Sequence, residues 1–158
     1  MHPTVEEFRR QATERYGYSG EIREFETGTK TAQAAAEALC CERGQIIKSM
    51  IMRVDDEFVL VLTSGDHRVD ETALAEACGV DPSDVATASS DEVKAVTGWS
   101  IGGVPPFCYE RDIAALADPT LRSYDELWGA AGTPNAMLAV PAAELVEFTD
   151  PRFVDVHA

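Results

Sequence analysis

One lysine is the first residue of this chain that could do chemistry. Lys48 lies near the start of an apolar run over 45–52, with the sequence QIIKSMIM. An ammonium is costly to bury without a partner, so a lysine in such a run is a candidate cation for a phosphate or a developing oxyanion. The alternative is a strand-edge lysine whose ammonium reaches water along its aliphatic stem. Lysine is scarce elsewhere, since the chain has only Lys30 and Lys94 besides, and this scarcity favours the functional interpretation.

One loop is the second candidate. Residues 102–106 have the sequence GGVPP, in which two glycines are followed by two prolines. Glycine lets a ligand approach the backbone closely, so the N–H groups of Gly102 and Gly103 could bind an anion or the carbonyl oxygen of an ester. The alternative is an ordinary connection whose shape the prolines fix. Neither the lysine nor the loop is specific by itself.

Other chemistries lack their usual sequence signatures. The chain contains no GxSxG, no HExxH, no P-loop and no Rossmann glycine pattern. The three histidines are far apart in the sequence and the four cysteines do not show CxxC spacing, so we expect no metal and no cofactor. Cys40 and Cys78 fall at apolar positions of predicted helices, where we expect small buried thiols.

The size of the chain fits a single domain over residues 1–158. Its 158 residues and 45% hydrophobic content are enough for a real core. The N-terminus lacks the basic-then-apolar layout of a signal peptide. No stretch approaches the roughly 20 apolar residues that would span a bilayer. We therefore expect a soluble, cytoplasmic protein with no membrane partner.

The charge of the chain is strongly acidic. Thirteen basic residues against 28 acidic ones give a net charge of −15. Excess carboxylate with few lysines is typical of a salt-rich cytoplasm, where the Debye length is about 3 Å at 1 M salt and self-repulsion is screened. The alternative is an acidic protein from an ordinary cytoplasm. In either case the broad basic footprint of a nucleic-acid-binding protein is absent.

The first half of the chain predicts two helices and a hairpin. Thr4 and Glu7 have capping-box spacing, which predicts a helix over 5–16. A short strand is expected over 21–26. Thr31 opens an alanine-rich helix over 32–41. Strands over 46–54 and 57–63 are joined at 55–56, and both are so apolar that the hairpin should lie inside a covered sheet.

The second half alternates helices and strands. Asp70 and Ser89 are predicted N-caps of helices over 71–78 and 90–96. Further elements are expected as strands over 107–109, 113–116, 127–131 and 136–140, and as a helix over 142–148 that Pro141 opens as its first residue. Helices mixed with hairpins favour an α+β fold around a mixed sheet or barrel-like core, flanked by helices.

Five segments of the chain form an ordered set, namely TAQAAAEAL at 31–39, IIKSM at 46–50, GDHRVD at 65–70, TGWSIGGVPPF at 97–107 and AAGTPNA at 130–136. Taken together and in order, they resemble the YbaK/ProX family of aminoacyl-tRNA editing domains. The resemblance extends from about residue 27 to 147, which is most of the chain.

The resemblance implies a trans-editing hydrolase that cleaves the ester of a mischarged aminoacyl-tRNA. It implies a mixed-sheet domain with an open pocket for the terminal aminoacyl-adenosine, resembling the editing insertion of bacterial prolyl-tRNA synthetases. The partner is then the CCA-aminoacyl end, and the oligomeric state, monomer or dimer, stays open. The alternatives are a non-catalytic member of the fold that binds aminoacyl-tRNA or a protein, and a hydrolase of small esters or thioesters.

The resemblance also implies roles for particular residues. The family's lysine maps onto Lys48, which would anchor a 3′-terminal phosphate or the ribose edge, and its GxxxP loop maps onto 102–106, with Gly102 and Gly103 holding the carbonyl oxygen. In the family, the ribose hydroxyl of the tRNA, or in one branch the thiol of the substrate, helps to supply or activate the nucleophile. The expected substrate-binding residues are Lys30, Ser49, Arg68, Val104, Pro105, Pro106, Asp118, Ala130 and Gly132.

Two positions depart from the family pattern and bear on specificity. Ser49 replaces the family's threonine after the lysine, and Ala130 replaces a serine that the Cys-tRNA branch carries before the glycines of its last hairpin. We therefore expect small residues such as alanine, serine, threonine or cysteine to be removed without a unique preference for cysteine. Lys30, Lys48 and Arg68 could form the local positive patch that the acidic chain otherwise lacks.

Overall fold

The structure is a computed structural model that describes residues 2–26 and 31–157. Five α-helices are formed by α1 Pro3–Tyr16, α2 Ala32–Leu39, α3 Glu71–Cys78, α4 Ser90–Thr97 and α5 Ala142–Thr149. Eight strands are formed by β1 Ile22–Glu24, β2 Ile47–Val54, β3 Glu57–Ser64, β4 Val85–Thr87, β5 Ala114–Ala117, β6 Glu126–Ala130, β7 Ala136–Pro141 and β8 Arg152–Phe153.

The larger sheet is mixed, as predicted. Its strand order is β4-β2-β3-β5-β8, with the β2–β3 hairpin antiparallel and β5 parallel to both β3 and β8. The hairpin occupies the interior of the sheet because its side chains are apolar on both faces, and Ile51 and Leu60, which face each other, are both buried. The rigid hairpin therefore provides a fixed base for Lys48.

The smaller sheet is antiparallel and has the order β1-β7-β6. A parallel bridge between Ile46 and Trp128 connects it to the start of the larger sheet's hairpin. Over the described residues the two sheets do not close into a barrel, so the α+β fold is confirmed and the barrel-like core is not. Among the same residues no helix is long and apolar enough to cross a membrane.

Several helix starts agree with the sequence, and one does not. Thr31, Asp70 and Ser89 each accept a backbone N–H at the start of a helix, as predicted. The capping box of Thr4 with Glu7 is wrong, because His2 is the N-cap and its Nδ1 accepts the Thr4 N–H at 3.0 Å. Pro3 begins this helix because the first helical position needs no N–H donor.

The segment 107–109 is not a strand. Phe107 lies instead in an aromatic cluster, with ring centroids 5.1 Å from Tyr16 and 5.0 Å from Phe148. The carbonyl of Cys108 accepts the indole N–H of Trp99 at 2.8 Å. The aromatic side chains and this side-chain bond replace the ladder that a strand would have provided.

The burial of the cysteines also differs from expectation. Cys40 is exposed, because α2 ends at Leu39 and Cys40 has the left-handed backbone of the C-cap, with φ 55°. Cys78 is half-buried at the end of α3, and the buried thiol is that of Cys108. The prediction of a buried thiol at residue 40 is therefore wrong, since the helix ends at Leu39, two residues before the predicted end at 41.

Candidate functional site

A large pocket lies where β2, the loop after β3, the 101–104 loop and the last hairpin meet. Its volume is about 670 Å³, within the usual range of small-molecule sites. Of the residues predicted from the sequence, those that line it are Lys48, Ser49, Arg68, Gly102, Val104 and Ala130. The structure thus brings together residues that are separated by up to 82 positions in the chain.

Lys48 is held against the pocket wall. It lies opposite Thr63 in the hairpin, and its Nζ donates a hydrogen bond to the backbone carbonyl of His67. Partial burial lowers the pKa of Lys48 from its ordinary value, and the nearby guanidinium groups of Arg68 and Arg43 lower it further. The ammonium is therefore tied to the protein rather than extended into solvent.

The two glycines of the loop have different structural roles. The Gly103 N–H donates to the Ser100 carbonyl at 3.0 Å, closing a turn whose third residue, Gly102, has φ +91°. A turn with positive φ at that position requires glycine. A Cβ at Gly103 would lie only 2.6 Å from the Gly132 carbonyl oxygen, so the loop and the last hairpin touch backbone to backbone.

These contacts determine which N–H groups are free to donate a hydrogen bond to an oxyanion. The Gly103 N–H, one of the predicted donors, is used inside the turn. Within the described part of the chain, the N–H groups of Gly102 and Val104 have no hydrogen-bond acceptor, and both residues line the pocket. The donors that the geometry leaves available are therefore at 102 and 104.

The remaining loop and hairpin residues support the pocket from behind. Pro105 and Pro106 are buried and do not line the pocket. The Pro105 carbonyl accepts the Tyr109 hydroxyl at 2.7 Å, and Pro106 packs against Gly129. Gly132 is also buried, and its N–H donates to the Gly103 carbonyl at 2.9 Å. These three residues hold the loop in place and lie away from the cavity.

Two further predicted residues have distinct positions. Ala130 is the last residue of β6, opposite Met137, and both line the pocket, so a side chain at 130 borders the cavity. Ser49 lines the same cavity, and its hydroxyl is buried. Lys30, which was expected to contribute positive charge, lies outside the described residues.

Asp118 lies behind the pocket wall and is 2% exposed. Its Oδ1 accepts the Thr120 N–H at 2.9 Å, and its Oδ2 accepts the Ser64 N–H at 3.2 Å. The Nδ1 of His67 lies 2.7 Å from the same Oδ2. Burial alone would raise the pKa of Asp118, but these hydrogen bonds outweigh it and hold the pKa below its ordinary value. Asp118 is thus a pinned carboxylate.

His67 is the residue that the sequence reasoning missed. The residue is among those that line the pocket, and its side chain is 25% exposed. Its ring stacks on that of His157 with centroids 3.7 Å apart. The donor atoms of His67, Asp118 and His157 all lie within 4.8 Å of one another. Separation in the sequence was therefore a poor argument against a shared histidine site, and the GDHRVD segment was the available signal.

The charge at the pocket contrasts with the acidic chain. Arg43, Lys48 and Arg68 line it together with a single carboxylate, that of Asp66, among the described residues. Asp66 is paired with Arg43 at 3.0 Å, with both side chains largely exposed. The pocket therefore presents local positive charge, which suits an anionic ligand.

Comparisons with known proteins define the class of this chain. Residues 26–148 match the model of the aminoacyl-tRNA editing domain, and the chain belongs to that family. It is 31% identical to a solved structure described as a proposed trans-editing enzyme for prolyl-tRNA synthetase, with a TM-score of 0.91 over 100% of this chain and 99% of that one.

Two proteins of related sequence differ in how much of their length this chain matches. The chain is 30% identical over 130 residues to the uncharacterized protein YwhH of Bacillus subtilis, covering 82% of this chain and 81% of that protein. It is 35% identical over 94 residues to a proline–tRNA ligase of Halalkalibacterium halodurans. That match covers 60% of this chain but only 16% of the ligase.

Proposed function

We propose that this chain hydrolyses the ester bond of mischarged aminoacyl-tRNA in trans. The observation that carries the proposal is the pocket itself, because Lys48, Gly102 and Val104 line one cavity. The Lys48 ammonium is anchored to a backbone carbonyl, and the N–H groups of Gly102 and Val104 have no acceptor among the described residues. The family match and the prolyl-tRNA synthetase relatives support the substrate class. Mischarged tRNA specific for proline is therefore the first substrate to test.

The chemistry needs orientation and charge stabilisation more than a strong nucleophile, because an aminoacyl ester is already activated. Donors placed to meet the carbonyl oxygen stabilise the negative charge that develops on it during attack. Lys48 would hold a 3′-terminal phosphate or the ribose edge and so fix the ester at the loop. The Gly102 and Val104 N–H groups take the donor role that the sequence assigned to Gly102 and Gly103.

Binding of the anionic tRNA is opposed by the net charge of −15. Binding through duplex phosphates depends steeply on salt, and a single-stranded end needs fewer phosphates. Arg43, Lys48 and Arg68 place positive charge at the pocket. We therefore propose that the protein engages the CCA-aminoacyl end and makes little use of the tRNA body.

The amino acid would be small. Ala130 and Met137 give the pocket an apolar edge at the last hairpin, and an apolar wall discriminates by only about 1–3 kcal/mol per methylene. The esters that join several small amino acids to tRNA should therefore be hydrolysed. The test is a panel of tRNAs charged with alanine, serine, threonine, cysteine and proline, in which the small mischarged residues should be released and proline should be spared.

The same panel separates hydrolysis from binding alone. A non-catalytic member of the fold would bind the charged tRNAs, and their esters would hydrolyse only at the spontaneous rate measured in buffer. A hydrolase of small esters or thioesters would cleave free model compounds and leave the esters of the charged tRNAs intact. Either result would contradict the proposed function.

A further inference from the structure

We propose that His157 is a positioning residue of the candidate site, which holds the Lys48 ammonium in place through its contact with His67. This inference rests on the proposed function, because it concerns the cation that would bind the tRNA end. His157 lies beyond the family match, which ends at residue 148.

The loop after β3, residues 65–70, determines where the two neighbouring cations of the pocket lie. The backbone carbonyl of His67 accepts the hydrogen bond from Lys48 Nζ. Arg68, the next residue of the loop, lines the pocket together with Lys48. A shift of this loop would therefore move the acceptor of one cation and the backbone of the other.

The segment 152–157 fastens this loop to the larger sheet. The segment begins with β8, which pairs with β5 at the end of that sheet. Further along, the Val156 carbonyl accepts the Asp70 N–H at 2.8 Å, and Val156 is buried. An antiparallel bridge joins His157 to Val69. The backbone of the segment thus holds the end of the loop that lies two residues beyond His67.

The side chain of His157 holds His67 itself. The two rings are stacked, with centroids 3.7 Å apart and an interplanar angle of 8°. At its edge, the His67 ring places Nδ1 2.7 Å from Oδ2 of the buried Asp118. The ring is therefore held on one face by His157 and at one edge by a fixed carboxylate. Because the carbonyl of the same residue accepts the Lys48 ammonium, the stack limits how far that acceptor can move.

The environment of Lys48 explains why its acceptor matters. Partial burial lowers the pKa of Lys48, and the guanidinium groups of Arg68 and Arg43 lower it further. The carboxylates of Asp118 and Asp66 oppose this change, but the pKa remains below its ordinary value. Water solvates a charge better than a partly buried site does. An ammonium whose acceptor carbonyl moves away should therefore leave the pocket wall for solvent.

The direct test is the pKa of Lys48 in His157→Ala, measured without tRNA. The chain has three lysines, so an NMR titration can follow their side-chain signals separately, and Lys48→Ala identifies the signal of Lys48. We expect the pKa of Lys48 to rise towards its ordinary value in His157→Ala, because the ammonium loses its partly buried position. An unchanged pKa in the folded variant would contradict the proposal.

The kinetic test is the hydrolysis of mischarged tRNA by the same variant. A small displacement of a group that positions the substrate can cost about 100-fold, so we expect kcat/KM to fall by about 10- to 100-fold. Most of this loss should appear in KM, because the N–H groups at 102 and 104 stay in place. A lower melting temperature with an unchanged KM would indicate a merely structural role and would contradict the proposal.

Two further variants separate the stack from the other properties of histidine. His157→Phe keeps a flat ring against His67 but loses the nitrogen that lies 3.1 Å from Asp155 Oδ1. It should therefore keep the wild-type KM and the wild-type pKa of Lys48. His157→Leu is also apolar but has no ring, and it should behave like His157→Ala. Equal values in the Phe and Leu variants would contradict the role of the stack, even if His157→Ala folds poorly.

His2→Ala is the matched control, because it removes the contact of a histidine ring with the Thr4 N–H, outside the pocket lining. It should change neither KM nor the pKa of Lys48. A wild-type protein that releases no amino acid from any mischarged tRNA contradicts the proposed function, whereas the pKa of Lys48 still shows whether His157 holds the ammonium. An active wild-type protein, with a folded His157→Ala variant of equal KM and equal Lys48 pKa, contradicts only the role of His157.

Discussion

His67 Nδ1 lies 2.7 Å from Asp118 Oδ2, although the two residues are 51 positions apart in the chain. The contact joins the loop after β3 to the start of the 3₁₀ helix Pro119–Ser123, for which Asp118 is the N-cap. It therefore connects the pocket wall to the buried side of the larger sheet. With His157 stacked on the ring, this cluster of His67, Asp118 and His157 is the one group among the described residues that could hold a metal ion.

Chelator treatment tests whether the cluster of His67, Asp118 and His157 binds a metal ion that the reaction needs. We expect deacylation to survive extensive treatment with EDTA, because the 2.7 Å contact between His67 and Asp118 has the length of a direct hydrogen bond. Activity with and without the chelator, followed by addition of zinc, gives the measurement. Loss of activity in EDTA with recovery in zinc would show that the cluster is a metal site.

The contact between the loop and the last hairpin predicts the effect of Gly103→Ala. The new Cβ would lie 2.6 Å from the Gly132 carbonyl oxygen, so one backbone must move, at a cost of about 1–3 kcal/mol in the free energy of unfolding. Because the loop carries the N–H groups of Gly102 and Val104, kcat should fall as well. Thermal melts and deacylation rates of the variant give both quantities.

Gly79→Ala is the control for this variant. Gly79 has φ +71° but nothing within 4 Å of a new Cβ, and it lies at the end of α3, outside the pocket lining. Alanine there costs stability through its backbone conformation, by about 1–2 kcal/mol, and should leave kcat unchanged. If both variants lost activity in proportion to stability, the loop would have no specific part in the site.

Much of the fold could be predicted from the sequence because local signals were strong. The N-caps Asp70 and Ser89 and the C-cap Gly98 predicted the bounds of their helices. The apolar run around Lys48 predicted a strand of the central hairpin. The strands β4 and β8 were missed because they have 3 and 2 residues and are fixed by pairing with longer strands. Such pairing is tertiary information that propensity does not contain.

The site could be predicted only in part, for a similar reason. Lys48 and the 102–106 loop stood out because a cation in an apolar strand and a glycine–proline run are unusual locally. His67 did not stand out, because its contacts are with Asp118 and His157, which are distant in the sequence. The use of the Gly103 N–H inside a turn could not be foreseen either, since turn closure depends on the backbone angles of Gly102.

The acidic composition predicts that stability rises with salt. The net charge of −15 produces repulsion among carboxylates, which is screened as the Debye length shortens from about 10 Å at 0.1 M to about 3 Å at 1 M salt. The midpoint of thermal unfolding should therefore be higher in molar KCl than in dilute buffer. An unchanged or lower midpoint would contradict adaptation to a salt-rich cytoplasm.

The position of Ala130 predicts a change in specificity. The residue borders the cavity at the end of β6, so Ala130→Ser places a hydroxyl at the pocket edge. We expect the wild-type protein to release several small amino acids from tRNA. In the variant, the rate for cysteine relative to the other amino acids should rise, by an amount that corresponds to at most about 1–3 kcal/mol in transition-state free energy. Rates across the small-residue panel give the comparison. A wild-type protein that releases cysteine alone, with no response to Ala130→Ser, would refute this argument.

The most direct test of the account is the rate of ester loss from mischarged proline tRNA with the wild-type protein and with Lys48→Ala. Lys94→Ala is the matched control, because Lys94 also donates to a backbone carbonyl, that of Gly98, but lies outside the pocket lining. We expect the wild type and Lys94→Ala to release the amino acid at the same rate. Folded Lys48→Ala should lose about 2–4 kcal/mol of transition-state stabilisation, or roughly 30- to 1,000-fold in rate. Full turnover by folded Lys48→Ala, or no release by the wild type, would contradict the account.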